Sequence, residues 1–219
     1  MNGKIQTSES IRLSVILALS GGFQDAYTYN VRDNVFSNAQ TGNVVLMSQY
    51  FMMGKWQTAL RYMLPIIAFA AGVFVAECIG HKYKGSKRIH WRQIIVAMEI
   101  LVLLLVGFLP SEINMVATML VSFSCAMQVQ TFRKINGYGY ASTMCIGNLR
   151  SGTESLSVFF RNREGGALKK ALHYYGIILT FALGAGLGGV VSLTIGLKAI
   201  WVSCALLTVV LVMMRTEFK

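Results

Sequence analysis

Polar side chains recur at fixed spacing in a chain that is otherwise apolar. Phe36-Ser-Asn-Ala-Gln-Thr-Gly-Asn43 returns 105 positions later as Ala141-Ser-Thr-Met-Cys-Ile-Gly-Asn148, with Ser37/Ser142, Gly42/Gly147 and Asn43/Asn148 in register. Ser37, Asn38, Thr41 and Asn43, with Ser142, Thr143 and Asn148, carry short hydrogen-bonding groups suited to a helix start, where N–H groups lack intrahelical acceptors. Gly42 and Gly147 allow close backbone approach. A half-helix that begins inside a membrane presents free N–H groups and a partial positive charge to an anion or to the carbonyl of a neutral solute. Asn38, Thr41, Gly42, Asn43, Gly147 and Asn148 are therefore the expected solute-binding residues. The competing role is packing and hydrogen bonding between helices.

Ionisable side chains within apolar runs are costly and mark functional candidates. Asp25 stands in Gly21-Gly-Phe-Gln-Asp-Ala-Tyr27, and its counterpart at offset 105 is Gln130. Asp25 is expected to serve a pathway or proton coupling, or else to bond at a helix end or pair with Arg32 or Arg61. Glu99, in Ile95-Val-Ala-Met-Glu-Ile-Leu101, has no neighbouring cation in sequence and needs a partner helix or a cavity. Arg150 and Glu154 are four apart, on one helical face, and suit a structural pair as well as a pathway role. Arg61, His173, Glu77 and His81 flank apolar runs and suit interfacial anchoring.

No enzyme constellation accompanies these residues. Gly-x-Ser-x-Gly, His-Glu-x-x-His and phosphate-binding glycine loops are absent from the sequence, and His81, His90 and His173 all flank apolar runs. Cys78, Cys125, Cys145 and Cys204 show no paired spacing and read as small buried hydrophobes. No metal and no cofactor is expected.

The elements that must position the polar residues are set by hydropathy. The 219 residues are 54% hydrophobic and 13% charged, with two prolines and a mean hydropathy of +0.54. Soluble proteins run near 25% charged, so the chain reads as an integral membrane protein with lipid as its first partner. The net charge of +11 is dispersed between apolar runs. It forms no basic and aromatic face, so nucleic acid is not an expected partner. Six stretches reach spanning length: 11–29, 62–79, 91–109, 113–132, 174–191 and 199–214. Ile11 to Tyr29 is too long for a signal h-region and lacks a small-x-small cleavage site, so it is kept as the first span. Two further segments, 35–53 and 140–160, are helix-like but polar and carry the repeated motif.

Loop charge decides how the polar segments run. If both cross, Lys and Arg divide nine to ten between the two sides. If both dip in and return, fifteen lie inside against four outside (Arg32, Lys55, Arg61 and Lys198), with Arg150 inside the second polar segment. The positive-inside rule favours the second arrangement, with six spans, two re-entrant segments and both termini cytoplasmic. Two polar spans within a bundle are the alternative.

A second match, Ala59 to Ala76 with Ala171 to Gly188 at offset 112, has seven identities in eighteen. The chain therefore reads as one membrane domain, 1–219, built from two repeats, 11–109 and 113–214. With three spans each, the repeats must be inverted, with a shared site near the midplane. Ala182, Gly184, Gly186 and Gly188 form small-residue ridges suited to packing within the chain or in a homodimer.

Gly21-Gly-Phe-Gln-Asp-Ala-Tyr-Thr-Tyr29, followed by Phe36-Ser-Asn-Ala-Gln-Thr-Gly-Asn-Val-Val45, resembles the signature of the YoaK-like bacterial membrane proteins over nearly the whole chain. Here Ala39-Gln40 stands where that family more often has a residue such as Met before Thr-Gly-Asn. The resemblance implies about six membrane helices and a bacterial inner-membrane location, and no established substrate. The residues themselves point to a channel or secondary transporter for a small polar or anionic solute. The alternative function is a membrane scaffold or partner subunit.

Overall fold

The computed structural model describes residues 10–84, 90–135 and 138–215. Lipid cannot satisfy backbone N–H and C=O groups, so an apolar chain of this kind satisfies them within helices. The described residues form α1 (Ile11–Val31), α2 (Gln40–Met52), α3 (Trp56–Tyr83), α4 (Trp91–Val106), α5 (Asn114–Thr131), α6 (Cys145–Asn162), α7 (Gly165–Ile195) and α8 (Trp201–Arg215). A small hairpin, β1 (Lys134–Ile135) antiparallel to β2 (Tyr138–Gly139), lies between α5 and α6.

The six stretches expected as spans are α1, α3, α4, α5, α7 and α8, and the two polar segments are α2 and α6 with the loops before them. Among the described residues, Trp56–Tyr83, Ser111–Thr131 and Gly165–Met214 are long and apolar enough to cross a membrane. Four of the cations in the loop-charge count, Lys4, Lys87, Arg88 and Lys219, lie outside the described residues.

Helix pairing follows a regular pattern. α1 packs on α7 and α8, α5 on α3 and α4, α2 on α3, α6 on α7, and α4 on α8. Exchanging α1 with α5, α2 with α6, α3 with α7 and α4 with α8 maps each of these pairs onto another or onto itself. The 112-residue offset also matches burial: Ala59, Tyr62 and Gly72 are buried on α3, as are Ala171, Tyr174 and Gly184 on α7.

Glycine sets these contacts. A Cβ at Gly184 would collide with the Leu19 carbonyl of α1, and one at Gly22 with the Phe181 carbonyl of α7. A Cβ at Gly72 of α3 would likewise collide with the Phe123 carbonyl of α5. The opposite faces of α3 and α7 expose Leu60, Ile67 and Phe74, and Leu179, Leu183, Leu187 and Leu193. A lipid solvent accepts such faces without a hydrophobic penalty.

α1 and α5 run antiparallel. Arg32, just past α1, donates from Nη1 to Asn114 Oδ1 at the start of α5 (2.8 Å). Gln128, late in α5, donates to the Leu17 carbonyl in the first half of α1 (3.3 Å). Arg32 is fully buried. It also donates to the carbonyls of Pro110, Val106 and Leu109 and to Tyr27 Oη. A guanidinium at the carbonyl end of α4 satisfies acceptors that a helix terminus leaves open.

Candidate functional site

The first polar loop turns back into the molecule. Asp33 and Asn34 adopt φ of 63° and 57°, a left-handed conformation that short polar side chains tolerate, and Asn34 Nδ2 donates to the Tyr29 carbonyl (2.9 Å). The chain then runs back along α1, with Phe36 stacked on Tyr29 at 4.8 Å between ring centroids. Asn38 Nδ2 reaches the Gly21 carbonyl (3.2 Å). Gly21 lies ten residues from Val31, so α2 starts about 15 Å below the end of α1.

The second loop reaches the same turn from the other end. β1 and β2 reverse the chain after α5, and Gln128 Nε2 donates to Ser142 Oγ (2.9 Å). Thr143 packs so closely on Gly21 that a side chain there would meet its Cγ2. The two repeated motifs thus meet at Gly21 in the interior of the helix bundle, with Ser37, Asn38, Ser142 and Thr143 all buried.

Asp25 closes the first loop. Its Oδ1 accepts from Ser37 Oγ (3.0 Å) and from the Asn38 backbone N–H (2.7 Å). The carboxylate therefore occupies the donors that lead into α2, where an external anion was the expected ligand. Asp25 meets neither expected cation: Arg32 holds the α4–α5 turn, and Arg61 lies 3.8 Å from Asp33.

Asn43 and Asn148 have one role in common. Asn43 Nδ2 donates to the Phe36 carbonyl (2.8 Å) and to Gln40 Oε1 (2.9 Å). Asn148 Nδ2 donates to the Ala141 carbonyl (2.7 Å), and its Oδ1 accepts from the Ala141 N–H (3.4 Å). Each ties its loop to the residue seven positions earlier. Gly42 lies against the Phe36 ring, Thr41 is exposed on α2, and Gly147 opens onto a pocket. That pocket, of about 410 Å³, is also lined by Asn148, Gln130, Arg133, Tyr140 and Ser151.

The remaining candidates are scattered. Gln130 bonds Glu77 at the exposed end of α5, and Arg133 bonds the same carboxylate. Arg150 and Glu154 are exposed on α6 and form no ion pair with each other. Glu99 is buried on α4 near the Cys125 thiol, and neither carboxylate oxygen has a hydrogen-bond partner among the described residues.

Two central residues were not among the expected ones. Gln24 Oε1 accepts from Cys125 Sγ (2.8 Å), its Nε2 donates to Ser20 Oγ (3.0 Å), and Gln128 joins α1 to the second loop. The packing that places Leu19 under Gly184 and Phe123 under Gly72 relates α1 to α5 at offset 104. At that offset Ser20 and Gln24 match Ser124 and Gln128, and Asp25 falls on Val129 rather than on a polar residue. The repeated Ser-x-x-x-Gln spacing was the available signal.

A family profile described as "Protein of unknown function (DUF1275)" matches residues 13–213. The chain is also similar to the UPF0700 transmembrane protein YoaK of Bacillus subtilis (strain 168), with 25% identity over 182 residues and 78% of each chain covered. No solved structure matches.

Proposed function

The chain belongs to the DUF1275 family of proteins of unknown function, and from that premise and the meeting of its two polar loops we propose a channel or secondary transporter for a small polar solute. The observation that carries this reading is the convergence of Asn38 and Thr143 on Gly21. Non-helical backbone at membrane depth persists where protein or a water-filled cavity satisfies it, and transporters place their sites at such breaks. Asp25 already occupies the donors before α2, which favours a neutral solute carrying donors over an anion.

The topology proposed with it has six crossings, two re-entrant segments and an inverted repeat, in a bacterial inner membrane with cytoplasmic termini. The antiparallel α1 and α5, the exchangeable helix pairs and the loop charges support it. Asp25 and Glu99 are the proposed pathway carboxyls. Gln130, Arg150 and Glu154 lie away from the junction and hold no role in the proposed pathway.

A scaffold or partner-subunit role is the second reading, favoured by the use of the Asn43 and Asn148 side chains on their own loops. Flux of a panel of small neutral polar solutes into proteoliposomes separates the two. Wild-type protein is expected to accelerate at least one solute, and Asp25→Asn or Thr143→Val to reduce that rate about tenfold or more, as loss of an intramembrane polar contact implies. Folded protein that moves no solute in the panel would favour the scaffold.

A further inference from the structure

Three side chains from separate segments reach α1 between Leu17 and Gly21. Asn38 uses Nδ2 on the Gly21 carbonyl. Gln128 uses Nε2 on the Leu17 carbonyl, one turn earlier, and on Ser142. Thr143, next to Ser142, rests on Gly21 itself. The other polar atoms of these side chains, Asn38 Oδ1, Gln128 Oε1 and Thr143 Oγ1, are buried and have no hydrogen-bond partner among the described residues. The three residues are 5%, 1% and 6% exposed. Asp25, one turn beyond Gly21, is tied to Asn38 through its backbone N–H.

The chemistry of these atoms narrows what can complete them. An amide oxygen only accepts, and both amide nitrogens are already engaged, so two of the three unmatched atoms need a donor or a positive charge. Each unsatisfied buried group costs about 1–3 kcal/mol, and a membrane interior offers no bulk water to relieve it. Hard cations take neutral oxygens together with carboxylates, and Na⁺ sites in membrane proteins form at breaks in helices, where oxygens are left free. One nearby carboxylate matches one positive charge. Softer metals would need thiolate or imidazole ligands, and the neighbouring Cys125 thiol is engaged with Gln24.

We propose that Asp25, Asn38, Gln128 and Thr143 form a binding site for one monovalent alkali cation, Na⁺ or K⁺, at the junction of the two polar loops. The proposal rests on the loop junction being a functional centre and gives that centre a coupling ion. Cation binding is measured without flux, so a negative result leaves uncoupled solute transport standing, and a negative flux result leaves the cation site standing.

The test is thermal unfolding of the purified full chain in detergent, with NaCl or KCl raised from about 1 to about 100 mM at ionic strength held constant with N-methyl-D-glucamine chloride. A ligand that binds only the folded state raises the midpoint by mass action. A rise of about 5 °C is expected, and the two salt arms identify the preferred ion. Thr143→Val, which keeps the shape of the side chain, and Gln128→Leu should each weaken the half-saturating concentration about tenfold or more. Glu154→Gln, on the exposed face of α6, should respond as wild type. If Gln128→Leu does not fold, Thr143→Val decides alone. Equal midpoints in all three salts, or an undiminished response in Thr143→Val, would overturn the proposal and leave water as the partner of these oxygens.

Discussion

At the residue scale, the buried polar side chains act first as ties between segments distant in sequence. Arg32 joins α1 to the α4–α5 turn through four hydrogen bonds, three of them to backbone carbonyls, and its Nε donates to Tyr27 Oη within α1. Arg32→Ala should leave those acceptors buried and unmatched, costing about 3–5 kcal/mol and lowering the unfolding midpoint by about 10 °C. Arg32→Lys should recover little, because an ammonium cannot span the same acceptors. Asn43→Ala and Asn148→Ala should each cost about 1–2 kcal/mol in the same measurement. Thr41→Ala, on the exposed side of α2, should change nothing. Unaltered stability in both asparagine variants would mean that the loop bonds contribute little, and would return these residues to the list of solute ligands.

At the element scale, the bundle depends on backbones that touch. Gly184 and Gly188 of α7 lie against the Leu19 and Phe23 carbonyls of α1, whereas Gly186, between them, faces open space. The small-residue ridge in the sequence therefore divides by helical face, and the intrachain contact accounts for Gly184 and Gly188. Gly184→Ala should force α1 and α7 apart and cost about 1–3 kcal/mol, as overpacking does. Gly186→Ala should leave the midpoint unchanged or slightly raised, since alanine favours a helix. Gly72→Ala, on α3 against α5, should behave like Gly184→Ala. A neutral Gly184→Ala beside a damaging Gly72→Ala would break the equivalence of the two helix pairs.

At the scale of the whole molecule, the proposed topology places the Lys55 turn outside and the α6–α7 turn inside. In a cysteine-free background, a membrane-impermeant reagent applied outside should label a thiol introduced at Lys55 and not one at Lys169; labelling of both would exclude the re-entrant arrangement. Much of this was legible in one dimension. Hydropathy located the helices because lipid imposes length and composition, and the 112-residue offset matched Gly72 with Gly184, each of which lies against a carbonyl of a neighbouring helix. The polar-loop candidates Asn38, Asn43 and Asn148 are expected from sequence as solute-binding residues with hydrogen-bonding groups at helix starts, and the structure gives their side chains partners within the protein. Gln130 and Gln128 are two residues apart, about 200° around the helix. Thus Gln130, matched to Asp25 in sequence, lies on the exposed end of α5, while Gln128 faces the junction. The sequence by itself determined a helical membrane protein with a repeated polar loop, since composition and periodicity are local properties of the chain. Only the tertiary structure decided that Asp25 caps its own loop, that Arg32 holds a distant turn, and that Asn38, Gln128 and Thr143 meet α1 on adjacent turns. Those outcomes depend on which carbonyls two antiparallel helices bring within about 3 Å of a donor, and nothing local in the chain carries that distance.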